Sequence, residues 1–274
     1  MIDLQQVLIG SDPEVFISNG IEVVSAIPYI PGTKENPHPI SNYGHYIQTD
    51  NIMAEFCVPP VGIDYPEVMY SNIQFCLNYI DKQLPNDLKH HIEASAFISG
   101  EYLKDPLARK FGCDPSYNAW EGGKQNVKPK SKNGLRTCGG HIHIGYLEPS
   151  VELNMQIIKT LDLFLGVPSI LIDTDENRRK MYGKAGEFRH KQYGVEYRVL
   201  SNFWLKSEEH VEFIFDNIKR ALVFINDGNK IDSETAVIIQ NTINTSNKDS
   251  ASYLCEIFDI KQVIKNKQEI CVES

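Results

Sequence analysis

The stretch that decides the fold is Gly183-Lys-Ala-Gly-Glu-Phe-Arg-His-Lys-Gln-Tyr-Gly-Val-Glu-Tyr-Arg-Val-Leu-Ser-Asn-Phe-Trp204. It contains two copies of one short pattern, an aromatic residue between an acid and a base. In a strand, side chains alternate between faces, so Glu187 and Arg189 are predicted to share one face, as are Glu196 and Arg198. Two such pairs on one face can hold a metal-bound phosphate, because carboxylates ligate Mg²⁺ and guanidinium groups bind phosphoryl oxygens. A pair of surface salt bridges on exposed strands would give the same pattern.

Two further segments place carboxylates among apolar residues. Asp12 and Glu14 flank Pro13, which indicates a sheet edge or a bulge at this point. Glu55 lies within a second predicted strand, residues 50–58, which the two prolines that follow are predicted to stop. A buried carboxylate is costly without a partner. The partner here is either a metal ion or an arginine.

A histidine pair lies in the segment Thr137-Cys-Gly-Gly-His-Ile-His-Ile-Gly145. In a strand, His141 and His143 project to one face. Two histidines in register are typical of a metal or phosphate site, because imidazole can ligate a cation or donate a hydrogen bond. Gly139 and Gly140 would let a ligand approach the backbone closely.

Two segments are predicted to be long loops. Residues 28–48 are rich in Pro, Gly, Asn and His, and they form a candidate lid. Residues 106–135 show little periodicity and carry several lysines, Lys130 among them. These lysines either face solvent or close over phosphates.

Helical periodicity appears in three places. One helix is predicted from Pro66 to about Leu84, a second begins after Ser150 and ends at Gly166 and Pro168, and a third begins after Ser207. Strands with one apolar and one charged face, packed by helices on the apolar side, predict an α+β fold. The sheet is antiparallel and its polar face forms a basin.

Composition excludes several classes of protein. The net charge of −9 disfavours nucleic-acid binding and anionic membrane surfaces. The first residues do not read as a signal peptide, and the sequence predicts no membrane span. The six cysteines lack the Cys-x-x-Cys spacing, which favours a reducing cytoplasm as the location of the protein.

Several motifs together resemble a known family, the type 2 carboxylate–amine amidoligases of tailed phages. The resemblance runs from about Leu8 to Trp204 and rests on these segments: Ser11-Asp-Pro-Glu14, Phe111-Gly-Cys-Asp-Pro-Ser-Tyr-Asn-Ala-Trp120, Gly139-Gly-His-Ile-His-Ile-Gly145, Arg178-Arg-Lys-Met-Tyr-Gly-Lys-Ala-Gly-Glu-Phe-Arg189 and Tyr193-Gly-Val-Glu-Tyr-Arg-Val-Leu-Ser-Asn-Phe-Trp204.

This resemblance implies a fold like the catalytic domain of glutamate–cysteine ligase and glutamine synthetase. In that fold a strongly curved antiparallel sheet holds ATP and Mg²⁺ (with Mn²⁺ as an alternative) on its concave face, and helices pack on the convex face. One catalytic domain would span residues 1–274, with the motifs in about 7–225 and a covering region in 226–274. The implied reaction transfers the γ-phosphate of ATP to a carboxylate, and an amine then attacks the acyl phosphate.

The resemblance also implies roles for individual residues. The positions similar to metal ligands are Glu14, Glu55, His141 and Glu196. Arg198 and Arg189 match positions that hold the transferring phosphoryl group, and Glu187 is a further candidate in the catalytic set. The remaining candidates for contact with nucleotide phosphate or the substrate carboxylate are His143, Arg178, Arg179 and Lys130. The substrates would be a small-molecule or peptide carboxylate and an amine, and the oligomeric state stays open.

Two other functions fit the same residues. A metal-dependent hydrolase of amide or phosphate bonds would use His141, His143 and the acids around Zn²⁺ or Mn²⁺. A non-catalytic, nucleotide-binding phage protein would retain the fold without turnover. Activity without ATP would indicate the first alternative, and nucleotide binding without any turnover would indicate the second.

Overall fold

The computed structural model describes residues 1–109, 115–127, 134–173 and 175–260. Its strands are β1 Leu8–Ser11, β2 Glu14–Ser18, β3 Val23–Val24, β4 His38–Pro39, β5 Tyr46–Asp50, β6 Met53–Gly62, β7 Lys89–His91, β8 Ser95–Phe97, β9 Tyr117–Asn118, β10 Lys124–Gln125, β11 Leu135–Thr137, β12 Ile142–Gly145, β13 Glu187–Lys191 and β14 Gly194–Tyr197. Its α-helices are α1 Pro66–Gln83, α2 Pro106–Arg109, α3 Val151–Leu161, α4 Val167–Ile172, α5 Glu208–Asn226, α6 Ser233–Thr245 and α7 Lys248–Ile257.

Most strands join one antiparallel sheet, which confirms the predicted α+β class. Its order is β10-β9-β13-β14-β12-β1-β6-β2-β3, with β5 added to β6, β4 added to β5, and β7 added to β2. Strands β8 and β11 form a separate two-stranded sheet. The strands that carry the predicted site residues are therefore neighbours in the middle of the main sheet, although they are far apart in the sequence.

The β13–β14 hairpin has the predicted alternation. Phe188 lies opposite Tyr197, and both side chains are fully buried in the main core. Ile142 on β12 continues this apolar row, because it pairs with Tyr197. The charged members of each motif consequently lie on the other face.

Helices cover the apolar face of the sheet. Helix α1 begins at Pro66, and its predicted apolar stripe is buried, including Met69 and Ile73. Helices α3 and α5 begin directly after Ser150 and Ser207, as predicted, and the hydroxyl groups of these serines cap them. Helix α1 packs on β6, α3 packs on β13 and β14, and α5 packs on both helices.

The predicted end of the second helix at Gly166 and Pro168 is wrong. A π-helical turn, Asp162–Gly166, follows α3, and α4 continues directly through Pro168. In this turn the Val167 N–H donates to the Asp162 carbonyl, five residues back, so the hydrogen-bond register shifts just before the proline. The whole span Val151–Ile172 has the length and apolar character of a membrane helix, and 72% of its most apolar window is buried within the fold.

Three further predictions, one of a loop and two of a strand, also need correction. The predicted loop 28–48 contains β4 and the start of β5. The predicted strand 50–58 is interrupted by a turn in which Asn51 has a φ of 56°. Pro59 and Pro60 do not stop β6, because they lie at an irregularity in its pairing with β1, where a missing N–H is tolerated.

The break predicted at Pro13 is confirmed. It separates β1 from β2, although both strands pair with β6. Before the break β1 pairs with β12, whereas after the break β2 pairs with β7 and β3. The last two helices, α6 and α7, pack against α4 and each other, and they bury Ile239 and Ile243 in the core.

Candidate active site

Neighbouring strands bring the predicted residues together on the face opposite the helices. Arg189 of β13 lies opposite Glu196 of β14, which lies opposite His143 of β12. Beside these three residues, the backbone N–H of Arg198 donates to the backbone carbonyl of Glu187. The predicted faces of both acid–base pairs are confirmed.

Glu196 is a fully buried carboxylate surrounded by cations. Its Oε1 contacts Nη1 of Arg198 and lies 3.3 Å from Nη1 of Arg189, and its Oε2 lies 2.7 Å from Nζ of Lys191. Burial alone would raise the pKa of Glu196, but the interactions with Arg198, His141 and His143 together outweigh burial, and the pKa falls to about 2. Three cations around one carboxylate leave an excess of positive charge, which suits an anionic ligand.

A second group of carboxylates is compensated less fully, because burial outweighs the attraction of the nearby cations. Glu14 and Glu55 lie opposite each other on β2 and β6, and Asp50 is close enough to repel both. One oxygen of Glu14 accepts from the Gly139 N–H, and one oxygen of Glu55 accepts from Nε2 of Gln48, both at 2.7 Å. Burial, and then the charge of Asp50, raise the pKa of Glu14 to about 8, and burial raises the pKa values of Glu55 and Asp50.

Asp12 lies between the two histidines. Its Oδ1 is 3.2 Å from Nδ1 of His141 and 3.1 Å from Nε2 of His143, the latter at an angle unsuited to a hydrogen bond. Burial would raise the pKa of Asp12, but His143 and His141 outweigh it and lower the pKa. One potential ligand atom from each of Asp12, His143 and Glu196 lies within 4.8 Å of the others, a spacing that suits a shared cation.

His141 is an uncharged imidazole at neutral pH. Burial and the nearby Arg198 lower its pKa to about 4. The glycines before it are required by the protein's own packing, and Gly139 also lines the cavity, so the close approach of a ligand there stays a prediction. A side chain on Gly139 would collide with the His141 ring, and one on Gly140 would collide with the Ser201 backbone, so the protein itself uses this space.

Most of the predicted residues line one cavity of about 360 Å³, within the range of roughly 300–1,000 Å³ for small-molecule sites. The predicted residues on its wall are Glu14, Glu55, His141, His143, Arg178, Glu187, Arg189 and Arg198. Glu196 is not on the wall, because it lies beneath the three cations that it contacts. The role of each remains a prediction.

Three of the predicted residues, Arg178, Arg179 and Lys130, differ from the others in their positions and contacts. The guanidinium group of Arg178 donates to the carbonyls of Val199, at 2.7 Å, and Arg198, at 3.1 Å, so it supports the backbone beside the cavity. Arg179 does not line the cavity, and its contacts are the Asp175 carbonyl and Ser169 Oγ, both at 3.3 Å. Lys130 lies outside the described residues.

Glu187 lies on the cavity wall with both oxygens engaged. Oε2 accepts from the Gly183 N–H at 2.7 Å, and Oε1 accepts from Ser116 Oγ at 3.1 Å. Its charge also favours the protonated forms of Arg178 and Arg198. These contacts hold the carboxylate beside the arginines, and its role remains a prediction.

Sequence reasoning did not assign several wall residues to the site, namely Lys34, Gln48, Asp50, Arg136 and Lys191, and it gave Asp12 no individual role. Lys191 could have been found, because it continues the alternation of Glu187 and Arg189 along one strand. The same alternation applies to Asp12, because it lies two residues before Glu14. Arg136 had none, since it reaches the site by donating to Asn51 Oδ1, at 2.9 Å, from the separate small sheet.

The chemistry of the donors fits both a divalent cation and a phosphate group. Glu14, Glu55 and Asp50 present hard oxygens whose mutual repulsion a cation would relieve. The arginines around Glu196 present the planar donor geometry that phosphoryl oxygens accept. The strands that hold these two groups are separated by β12 and β1, so both can contact a single ligand in the cavity.

Comparison with models of known protein families gives a match. A family model described as "Phage phiEco32-like COOH.NH2 ligase-type 2" matches residues 130–242, which include His141, His143 and the whole β13–β14 hairpin but not Glu14 or Glu55. A search of curated proteins finds no match. The description of the family names a ligase that joins a carboxyl group to an amino group. Over residues 130–242 the chain is thus similar to the phage phiEco32-like carboxylate–amine ligases of type 2, the family that its motifs resemble.

Proposed function

We propose that the protein is an ATP- and Mg²⁺-dependent carboxylate–amine ligase that forms an amide through an acyl phosphate. The observation that carries this proposal is the division of charge within one cavity. Arg189, Lys191 and Arg198 lie on one side, and Glu14 and Glu55 lie across β12 and β1 on the other. Such a cavity suits a phosphate chain that carries a divalent cation.

The acidic side would hold the cation. Glu14, Glu55 and Asp12 offer carboxylate oxygens, and His143 offers Nε2, a donor set that Mg²⁺ or Mn²⁺ accepts. A bound cation would neutralise phosphate charge and polarise the transferred group. It would also allow Glu14 and Glu55 to be ionised together.

The basic side would hold the transferred phosphoryl group. Phosphoryl transfer to a carboxylate brings negative charges together, so fixed positive groups lower the barrier. Arg198 and Arg189 are oriented by their contacts with Glu196, and Lys191 adds a third cation. Arg178 would act indirectly, because it holds the carbonyl of Arg198.

The second half of the reaction needs an uncharged amine and a dry site. Burial raises the pKa of Asp50 above its ordinary value, which makes it a stronger base and suits a carboxylate that accepts the proton of the amine. Water would hydrolyse an acyl phosphate, so a cover is expected. The segment 28–45 already contributes Lys34 and Pro37 to the cavity wall and is our candidate cover.

On this proposal the sheet corresponds to the curved catalytic sheet of glutamate–cysteine ligase and glutamine synthetase. The chain would act as one catalytic domain in the cytoplasm, that of the host if a phage encodes it. Its substrates would be an amine and a small-molecule or peptide carboxylate.

The decisive experiment scans pairs of carboxylates and amines for ADP release in the presence of Mg²⁺. We expect release that requires both substrates in the wild type and is lost in Arg198→Ala. The matched control is Lys219→Ala, which removes the cation of an exposed ion pair with Asp64. Full activity in a folded Arg198→Ala variant would reject the role of this arginine.

The same scan separates the alternative functions. Product formed without ATP would indicate a hydrolase, for which the Asp12–His143–Glu196 group offers a metal site. No ADP from any pair, with a higher melting temperature in ATP, would indicate a nucleotide-binding protein. A ligand at a hundred times its Kd stabilises a protein by about 2.7 kcal/mol, which a thermal shift detects.

A further inference from the structure

Tyr193 makes a contact that the proposed function does not use. It lies in the turn between β13 and β14, and its side chain is partly exposed. Its hydroxyl oxygen lies 3.0 Å from Nδ1 of His143, the nitrogen that faces away from Asp12. A side chain in a hairpin turn thus contacts the outer side of a histidine that lines the cavity.

The contact matters because a hydrogen bond at one nitrogen of an imidazole determines what the other nitrogen can bind. A hydrogen bond at one nitrogen fixes the ring orientation and decides which tautomer leaves the other nitrogen free. For His143 the other nitrogen is Nε2, which lies 3.1 Å from Asp12 Oδ1 and within 4.8 Å of a Glu196 oxygen. Nε2 is buried and makes no hydrogen bond of suitable geometry.

The backbone holds Tyr193 in place. Its carbonyl accepts the N–H of Tyr146 at 3.0 Å, which ties the hairpin turn to the end of β12. The next residue, Gly194, has a φ of 148°, and a side chain there would collide with the carbonyl of Ile144. The hydroxyl group therefore reaches His143 from a fixed position.

The hydroxyl group also keeps its proton. A tyrosine hydroxyl is uncharged at neutral pH, because its ordinary pKa is about 10. An uncharged hydroxyl can accept a hydrogen bond from an imidazole N–H or donate one to an imidazole nitrogen. Either arrangement holds the ring at the same angle.

We propose that Tyr193 is a positioning residue, whose hydroxyl orients His143 so that Nε2 binds a divalent cation together with Asp12 and Glu196. In the loaded site Nδ1 carries the proton and donates to the Tyr193 oxygen, which leaves the Nε2 lone pair for the cation. This inference rests on the proposed metal dependence, and it gives His143 a cation rather than a phosphate as its ligand.

The test measures Mn²⁺ binding to the metal-free protein by calorimetry and by the electron spin resonance of unbound Mn²⁺. Loss of an outer hydrogen bond to a metal-ligating histidine typically weakens binding about 10- to 100-fold, and we expect a loss of this size in Tyr193→Phe. The matched control is Tyr43→Phe, which removes a hydroxyl from a side chain that is 83% exposed. Circular dichroism and the melting temperature in EDTA check that each variant is folded.

A double-mutant cycle shows whether the effect acts through His143. In a His143→Ala background, Tyr193→Phe is expected to have no further effect on Mn²⁺ affinity, because the group that it orients is gone. An equal loss in both backgrounds would overturn the proposal, as would wild-type affinity in Tyr193→Phe or a wild type that binds no Mn²⁺.

The proposal and the ligase function can fail separately. ADP release by the wild type, with unchanged Mn²⁺ affinity in Tyr193→Phe, would reject only the role of Tyr193. A His143-dependent loss of Mn²⁺ affinity, in a protein that releases no ADP with any substrate pair, would support that role and reject the ligase.

Discussion

The substitution Glu196→Gln tests the electrostatic centre of the cavity. Glutamine keeps nearly the same shape but removes the negative charge that Arg189, Lys191 and Arg198 share. The three cations then repel each other at a fully buried position, with no counterion at their centre. We expect the folded protein to be destabilised while its fold is retained.

Two estimates give the size of the effect. A carboxyl pKa that falls from 4.5 to about 2 on folding corresponds to about 3 kcal/mol, at about 1.4 kcal/mol for each tenfold change in proton affinity. Independently, removing one partner of a buried ion pair typically costs about 3–5 kcal/mol. The free energy of unfolding should therefore fall by about 3 kcal/mol in Glu196→Gln.

The assay is urea unfolding at pH 7 in EDTA, with Asp64→Asn as the control. Asp64 pairs with Lys219 at the surface, where an ion pair contributes at most about 1 kcal/mol. The pKa of Glu196 is lowered on folding, so its contribution is present above about pH 4.5 and is lost as the pH falls towards 2. A difference of less than 1 kcal/mol at pH 7, or one that does not shrink at pH 3, would refute the reasoning.

Three other substitutions test separate parts of the structure. Glu14→Gln should raise the Mg²⁺ midpoint for ADP release at least about tenfold, as expected for a lost ligand, and an unchanged titration would remove Glu14 from the ligand set. Asp162→Asn should lower the free energy of unfolding by about 1–3 kcal/mol in urea, because the two buried carboxylate oxygens accept three hydrogen bonds and an amide has only one acceptor oxygen and no charge. Gly140→Ala should cost at least about 2 kcal/mol, since a methyl group would collide with the Ser201 backbone and the Trp204 ring nitrogen, and wild-type stability would contradict this close approach.

Alternation within a strand could be read from the sequence because it is a local property. Side chains two residues apart share a face whatever the rest of the chain does, so the faces of Glu187 and Arg189, and the projection of His141 and His143 together, follow from spacing alone. The neighbour of each strand is set by tertiary contacts. Asp50 therefore escaped assignment, since its proximity to Glu14 depends on β5 and β2 both lying near the end of β6.

Local rules failed where tertiary contacts outweighed them. Gly166 and Pro168 are typical of a helix end, yet the chain continues through them by way of a π turn. The Asp162 carboxylate, in that turn, accepts hydrogen bonds from Trp120, Gly186 and Tyr197, each distant in the sequence. Similarly, the protein's own groups pack against Gly139 and Gly140, which no spacing rule could identify.

The opposite pKa shifts of two glutamates on one sheet face indicate different roles. Glu196 is already neutralised by cations, and its pKa is about 2, whereas Glu14 lies among other acids and its pKa is about 8. A divalent cation gains more at Glu14 and Glu55, because at Glu196 its attraction is offset by the loss of the contact with Arg198. We therefore expect the first cation to bind at Glu14 and Glu55, and Glu196 to orient the phosphate-binding groups and to contact only a second cation, the one bound by Asp12 and His143. If so, Glu14→Gln changes the Mg²⁺ midpoint and Glu196→Gln changes the affinity for ATP, and two variants with the same effect on both quantities would contradict this division.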